Sequence, residues 1–324
     1  MKRIGWMTAG LAAAMAVGTA LAVAETAMME SRLPAYERVS GIAGNLSSVG
    51  SDTLNNLMTF WAEGFAKQYP NVKIQVEGKG SSTAPPALIA GAAQLGPMSR
   101  PMKASESDAF EKRYGYKPTA VAVALDALGV YVNKDNPISS LSLEQVDAVF
   151  SSTRACGGKS DISTWSHLGL GPEWNRPISL YGRNSASGTY GYFKDNALCK
   201  GDYKSSVKEQ PGSATVVEGV SNDRYAIGYS GMGYRTAGVR IVPLAGVGGS
   251  TVYEATVDNV YAGTYPLSRY LYLYVNKAPG RPFDPLVQQF LTYVLSQEGQ
   301  QVVVKDGFIP LLKEIVDVEM KKLE

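Results

Sequence analysis

The sequence predicts an α/β protein, and three observations carry that reading. Segments with strand-like alternation and segments with helical spacing follow one another along the chain. Loops of small residues stand where a strand pattern gives way to a helix pattern. The chain has 324 residues, 45% apolar and 19% charged, a length that suits about two domains and a composition that excludes fibrous or disordered proteins.

Lys2 and Arg3 open the chain, and an Ala-rich apolar run follows from residue 4 to residue 23. Ala22 and Ala24 present the small-x-small pattern that signal peptidase reads. Residues 1–24 are therefore expected to be a signal peptide cleaved after Ala24, leaving an exported, soluble product. An uncleaved anchor is the rival reading, because the run approaches spanning length, but small residues dominate it.

Residues 25–40 are polar and aperiodic. A strand is expected over 45–49, then a helix over 51–68 with Leu54, Leu57, Met58, Trp61 and Phe65 at helical spacing, then a strand over 72–76. A short apolar segment covers 84–93, and an Ala- and Val-rich strand covers 120–132. Ser142 and Gln145 form a capping-box pattern that opens a helix over 143–150.

The string Tyr-Val-Asn-Lys closes an apolar run at 131–134 and again at 274–277, followed by Pro137 and Pro279. Four-residue matches arise by chance. The alternative is that two similar strands carry the chain out of one lobe and back. Residues 40–131 plus 273–324 would then form lobe 1 and 132–272 lobe 2, with a ligand in the cleft between them.

Three loops could bind that ligand: Gly50-Ser51-Asp52-Thr53, residues 78–83 (GKGSST) and residues 182–189 (GRNSASGT). Amides at a helix start point outward unpaired, the helix dipole is positive there, and small residues admit an anion closely. Ser81, Ser187 and Thr189 add hydroxyl donors. Taken singly, such loops read as ordinary N-caps. The third is more specific, because Arg183 brings a planar fork of donors four residues ahead of Ser187-Gly188-Thr189.

Catalytic readings find little support. No G-x-x-x-x-G-K-[ST] string occurs. A Ser-His-Asp triad would need His167, the one histidine, which lies in Trp165-Ser166-His167-Leu168 away from any nucleophile elbow and reads as a surface or structural residue. The 19 tyrosines are explained by packing with a bonded hydroxyl. Cys156 and Cys199, an even pair in an exported chain, are expected to form a disulfide. With one histidine they lack the spacing of a zinc site, and no metal or cofactor is expected.

Several motifs in fixed order resemble the phosphate-binding proteins of the high-affinity phosphate ABC transporter, the PstS family. They are residues 48–53 (SVGSDT), 80–86 (GSSTAPP), 96–100 (GPMSR), 126–128 (DAL), 182–189, 209–213 (EQPGS), 227–231 (IGYSG) and 265–269 (YPLSR), spread over the whole mature chain. The resemblance implies a two-lobed periplasmic substrate-binding fold of type II-like topology with two hinge strands. It also implies a non-catalytic monomer that takes inorganic phosphate by hinge closure and delivers it to the inner-membrane ABC permease.

By the same resemblance the phosphate site comprises Thr53, Leu54, Ser81, Ser82, Ser99, Arg100, Arg183, Ser187, Gly188 and Thr189, with Asp126. Many members carry an aspartate directly after the serine of the 96–100 motif, where it accepts the proton of hydrogen phosphate; here Arg100 stands there. Asp126, inside an apolar strand, is the candidate replacement, since a carboxylate there must pair with Arg183, with Arg100 or with a ligand proton. Asp52 is the second candidate. Two other classes stay open: a secreted phosphatase-like hydrolase, or a phosphate sensor or adhesion module on the same fold.

The chain carries 31 basic and 29 acidic residues, with no basic block to suggest nucleic acid. Loss of residues 1–24 removes Lys2 and Arg3 and no acid, leaving a formally neutral protein. An anion must then be held by local donors and not by long-range attraction.

Overall fold

Strand β1 (Gly44–Val49) leads through α1 (Asn55–Gln68) to β2 (Val72–Glu77) in the computed structural model, which describes residues 33–324. The expected signal peptide and its cleavage after Ala24 lie outside the described residues. β1 and β2 pair in parallel, and α1 buries Leu57, Met58, Trp61 and Phe65. The helix begins at Asn55, four residues after the expected start. The amide of Gly50 donates to Glu77 (3.0 Å) and that of Ser51 to Pro97 (2.7 Å), which ties these residues to the neighbouring strands, and a turn closed by the Asn55 amide on Asp52 O (2.9 Å) precedes the helix.

The chain continues through α2 (Ala84–Ile89), β3 (Gly96–Met98), α3 (Ala104–Tyr114) and β4 (Thr119–Asn133). Next come β5 (Leu141–Ser142), α4 (Leu143–Phe150), β6 (Ser179–Arg183), α5 (Gly188–Ala197), β7 (Lys208–Gln210) and α6 (Ser213–Asn222). After β8 (Ala226–Gly231), β9 (Val239–Ile241), β10 (Leu244–Ala245), β11 (Val252–Tyr253) and α7 (Val257–Tyr261), β12 (Ser268–Val275) returns, and α8 (Pro285–Leu295), α9 (Gln297–Lys305) and α10 (Lys313–Lys321) close the chain. The capping box at α4 forms: the Gln145 amide donates to Ser142 Oγ at 3.3 Å, and the Ser142 amide to Gln145 Oε1 at 2.9 Å.

β4 organises the molecule. Its first part, residues 119–127, pairs antiparallel with β12, which also pairs with β3. Its second part, residues 128–133, pairs with β8 and β9, and β8 continues through β6 to β7. Two groups of strands thus share one long strand, and they exchange partners between Ala127 and Leu128. Nearly every residue of β4 is buried, as expected for a strand covered on both faces. Cys156 and Cys199 form a disulfide that joins the segment after α4 to the end of α5. Among the described residues no helix is long and apolar enough to cross a membrane.

Candidate anion-binding site

The three small-residue loops converge between the two strand groups. The Ser82 amide donates to Ala186 O at 3.0 Å. Gly80, at φ +115°, lies so near that a Cβ would fall 2.5 Å from the same oxygen, so only glycine suits both the backbone angle and the approach. Thr53 Oγ1 and Thr189 Oγ1 stand 3.0 Å apart, fully buried. A Cβ on Gly188 would lie 2.3 Å from Ser81 Oγ and 2.7 Å from Ser99 Oγ. The Ser81 hydroxyl also accepts the Ser99 amide at 3.0 Å. Thr53, Ser81, Ser99, Gly188 and Thr189 are therefore one cluster.

The two helix starts differ in a useful way. α1 opens at Leu54 with no side-chain cap and no acidic residue in its first turn, so its dipole is left for another acceptor, although the Asn55 amide already donates to Asp52 O at 2.9 Å. α5 is capped by its own Ser187, whose Oγ accepts the amides of Thr189 (3.1 Å) and Tyr190 (3.4 Å).

Arg183 ends β6 and is 1% exposed. Its Nη1 donates to Ser213 Oγ at 2.7 Å and its Nη2 to Pro211 O at 3.0 Å, and Nη2 lies 3.1 Å from Asp52 Oδ1. Its Nε is buried with no protein partner. Burial pulls the guanidinium below its ordinary value, and the carboxylate of Asp52 opposes that shift. The side chain stays cationic. A fixed cation with a spare donor, beside buried hydroxyls, is what a small tetrahedral oxyanion requires.

The other charged residues are engaged elsewhere. Arg100 forms a two-pronged pair with Glu106 (2.7 and 2.8 Å) and donates to Ser82 Oγ at 3.2 Å. Burial favours the neutral acid at Glu106, but hydrogen bonds from Arg100 and the Lys103 amide hold its carboxyl below the usual range. Asp126 is completely buried and pairs with neither Arg183 nor Arg100. Its Oδ2 receives Arg269 Nε (2.9 Å) and Nη2 (2.7 Å), and its Oδ1 receives the Met232 amide (3.0 Å).

Strand register explains the choice, because Arg269 on β12 lies directly opposite Asp126 on β4. Arg269 also donates to Ser99 O at 2.9 Å and sits 5.3 Å from the Tyr192 ring centroid, which ties the pair to the cluster. Sequence reasoning gave Arg269 no role. The local signal was slight: an arginine closing a motif, 143 residues from its partner.

Arg100, Arg183 and Arg269 are thus each matched to a carboxylate, Glu106, Asp52 and Asp126. The region carries little net charge, and an incoming anion meets dipoles, hydroxyls and one spare guanidinium N–H. His167 is exposed, its Nδ1 accepting the Ser163 amide at 3.3 Å. Among the described residues there is no group of His, Cys, Asp and Glu able to hold a metal ion.

A model of the PBP superfamily domain matches residues 37–298. The phosphate-binding protein PstS of Pseudomonas aeruginosa is 58% identical over 324 residues, 100% of this chain and 98% of that protein. PstS of Bacillus subtilis is 29% identical over 83% of this chain and 81% of its own. A Clostridium perfringens substrate-binding protein assigned to a phosphate ABC transporter, solved with bound phosphate, superposes with a TM-score of 0.70 at 26% identity, over 83% of this chain and 100% of that one. An ABC-type phosphate transport receptor from Vibrio cholerae has a TM-score of 0.63 at 21% identity, over 82% and 100%, a likeness of fold.

Proposed function

The chain belongs to the PstS family of phosphate-binding proteins within the PBP superfamily, and from that premise we propose that it binds inorganic phosphate between two lobes for a phosphate ABC transporter. The role is binding and delivery, without catalysis or cofactor. The observation that carries the reading is the Arg183 guanidinium, buried between both strand groups with an unpartnered Nε. We assign the anion contacts to Arg183 Nε, the start of α1 at Thr53 and Leu54, the hydroxyls of Ser81, Ser99 and Thr189, and the loop at Ser187 and Gly188. Arg100 and Ser82 stand behind this set, because Arg100 is committed to Glu106.

Asp126 is our acceptor for the ligand proton. Its Oδ1 takes one amide, which leaves a lone pair, and Arg269 holds it beside Ser99, next to the chain position where relatives carry an aspartate. A carboxylate gains a hydrogen bond from hydrogen phosphate but meets only lone pairs on sulfate.

The lobes divide, in our reading, at Ala127/Leu128 and just before Ser268. The exchange of strand partners on β4 and the pairing of all of β12 with residues 119–127 support this over the division at 131/132 and 272/273 that the Tyr-Val-Asn-Lys echo favours. Export to the periplasm with cleavage after Ala24 is supported by the leader pattern and by the disulfide, which suits an oxidising compartment. Both walls of the site come from one chain, which supports action as a monomer that docks on the permease.

Calorimetric titration of phosphate-free protein tests the function. Phosphate is expected to bind with one-to-one stoichiometry and sulfate far more weakly, and Asp126→Asn is expected to narrow that preference. Equal heats and affinities for the two anions in the wild type would sink the proposal.

A further inference from the structure

Asp52 was the second candidate for the proton acceptor, and its surroundings suit a different task. It stands in the loop between β1 and α1, in the proposed lobe 1, yet every donor on its Oδ1 comes from the other lobe. The Ser213 amide reaches it at 2.7 Å, Ser213 Oγ at 2.9 Å and Arg183 Nη2 at 3.1 Å. The backbone on either side is held from the same direction. Tyr234 Oη donates to Asp52 O (3.0 Å) and Thr53 O (3.2 Å).

Asp52 also faces outward. It is 22% exposed and lines a cavity of about 450 Å³ that both lobes wall, with Asn55, Asn56, Pro211, Thr215 and Tyr234. The carboxylate therefore borders this outer cavity and Arg183 at once, held on Nη2 while Nε of the same guanidinium has no protein partner.

We propose that Asp52 is a positioning residue that latches the closed cleft across the lobes and aims Arg183 at the anion, without touching the anion itself. The inference rests on the phosphate reading above. These bonds form only when the lobes meet, so they favour the closed state whether or not ligand is present. The apparent affinity of a ligand for a closed form scales with that form's population, and release must break the latch. Entry proceeds through the open form, in which Asp52 is hydrated and Arg183 keeps Ser213 and Pro211, so association is nearly indifferent to the latch.

Stopped-flow kinetics on the full mature protein, with phosphate and with sulfate, test the latch. Asp52→Asn is expected to release phosphate at least about tenfold faster, to associate within about twofold of wild type, and to keep the wild-type phosphate-to-sulfate ratio. Unchanged release overturns the latch, and so does a collapse of the ratio, which would make Asp52 the proton acceptor. Tyr234→Phe removes the hydroxyl beneath Asp52 and Thr53 while leaving every charge, and is expected to speed release in the same direction. If Asp52→Asn does not fold, unchanged release in Tyr234→Phe overturns the proposal by itself. Wild-type protein that takes up no phosphate overturns the phosphate reading and the latch with it.

Discussion

At the scale of single residues, Asp306 shows the cost of a carboxylate that no cation matches. It follows α9, and its Oδ2 is buried without a protein hydrogen-bond partner. Burial pushes its carboxyl up from 3.8 to about 6, with a hydrogen bond to Asn56 acting the other way. Between those two values the folded chain holds a proton that the unfolded chain has released, so stability falls as pH rises through that window and levels off above it. Asp306 is partly solvated, which reduces the penalty. Asp306→Asn is expected to stabilise the protein by about 1 kcal/mol above pH 7 and to have little effect near pH 4. Thermal melts of both proteins at the two pH values check this. An equal shift at both would assign the gain to something other than the ionised carboxyl.

At the scale of elements, the disulfide ties the helix that presents Ser187, Gly188 and Thr189 to the rest of its lobe. Cys199 lies just beyond α5 and Cys156 just beyond α4, where the Cys156 amide also donates to Asp147 Oδ2 at 2.7 Å. The bridge closes a loop of 43 residues. Replacing both cysteines with alanine is expected to lower stability by about 2–4 kcal/mol, read as a fall of the denaturation midpoint with a steeper slope, because the freed denatured chain exposes more surface. An unchanged midpoint would mean that packing, led by the stacked Phe193 and Tyr229, holds α5 without the bridge.

Local pattern was enough for many of these elements. The capping box at Ser142 and Gln145 marked α4 at its observed bounds, and the Ala- and Val-rich run marked the strand that becomes β4. The nearness of the 78–83 and 182–189 loops was not carried by spacing, although each loop could be picked out by its own small residues. The start of α1 was not, because Gly50 and Ser51 are hydrogen-bonded to β2 and β3 and a turn over 52–55 precedes the helix. Nor were the partners of Asp126 and Asp52. Register on β12 selects Arg269, and packing of the start of α6 against the loop after β1 brings Ser213 to a residue 161 positions away. Spacing along a chain carries no record of either.

For the whole molecule, the formal neutrality expected once the proposed leader is cleaved agrees with the local pattern, in which Arg100, Arg183 and Arg269 are each balanced by an acid. Neither the overall field nor an uncompensated cation cluster captures the anion. In our proposal, donors collected from both lobes do so when the cleft closes, and they are worth most where water is excluded. This central claim is tested most directly by a crystal structure of the protein with phosphate. The account predicts a tetrahedral anion within hydrogen-bonding distance of Arg183 Nε, the first turn of α1 and the Ser81, Gly188 and Thr189 cluster, with Asp52 still on Arg183 and Ser213. An anion bound outside this cleft, or held there with Arg183 Nε turned away, would contradict it.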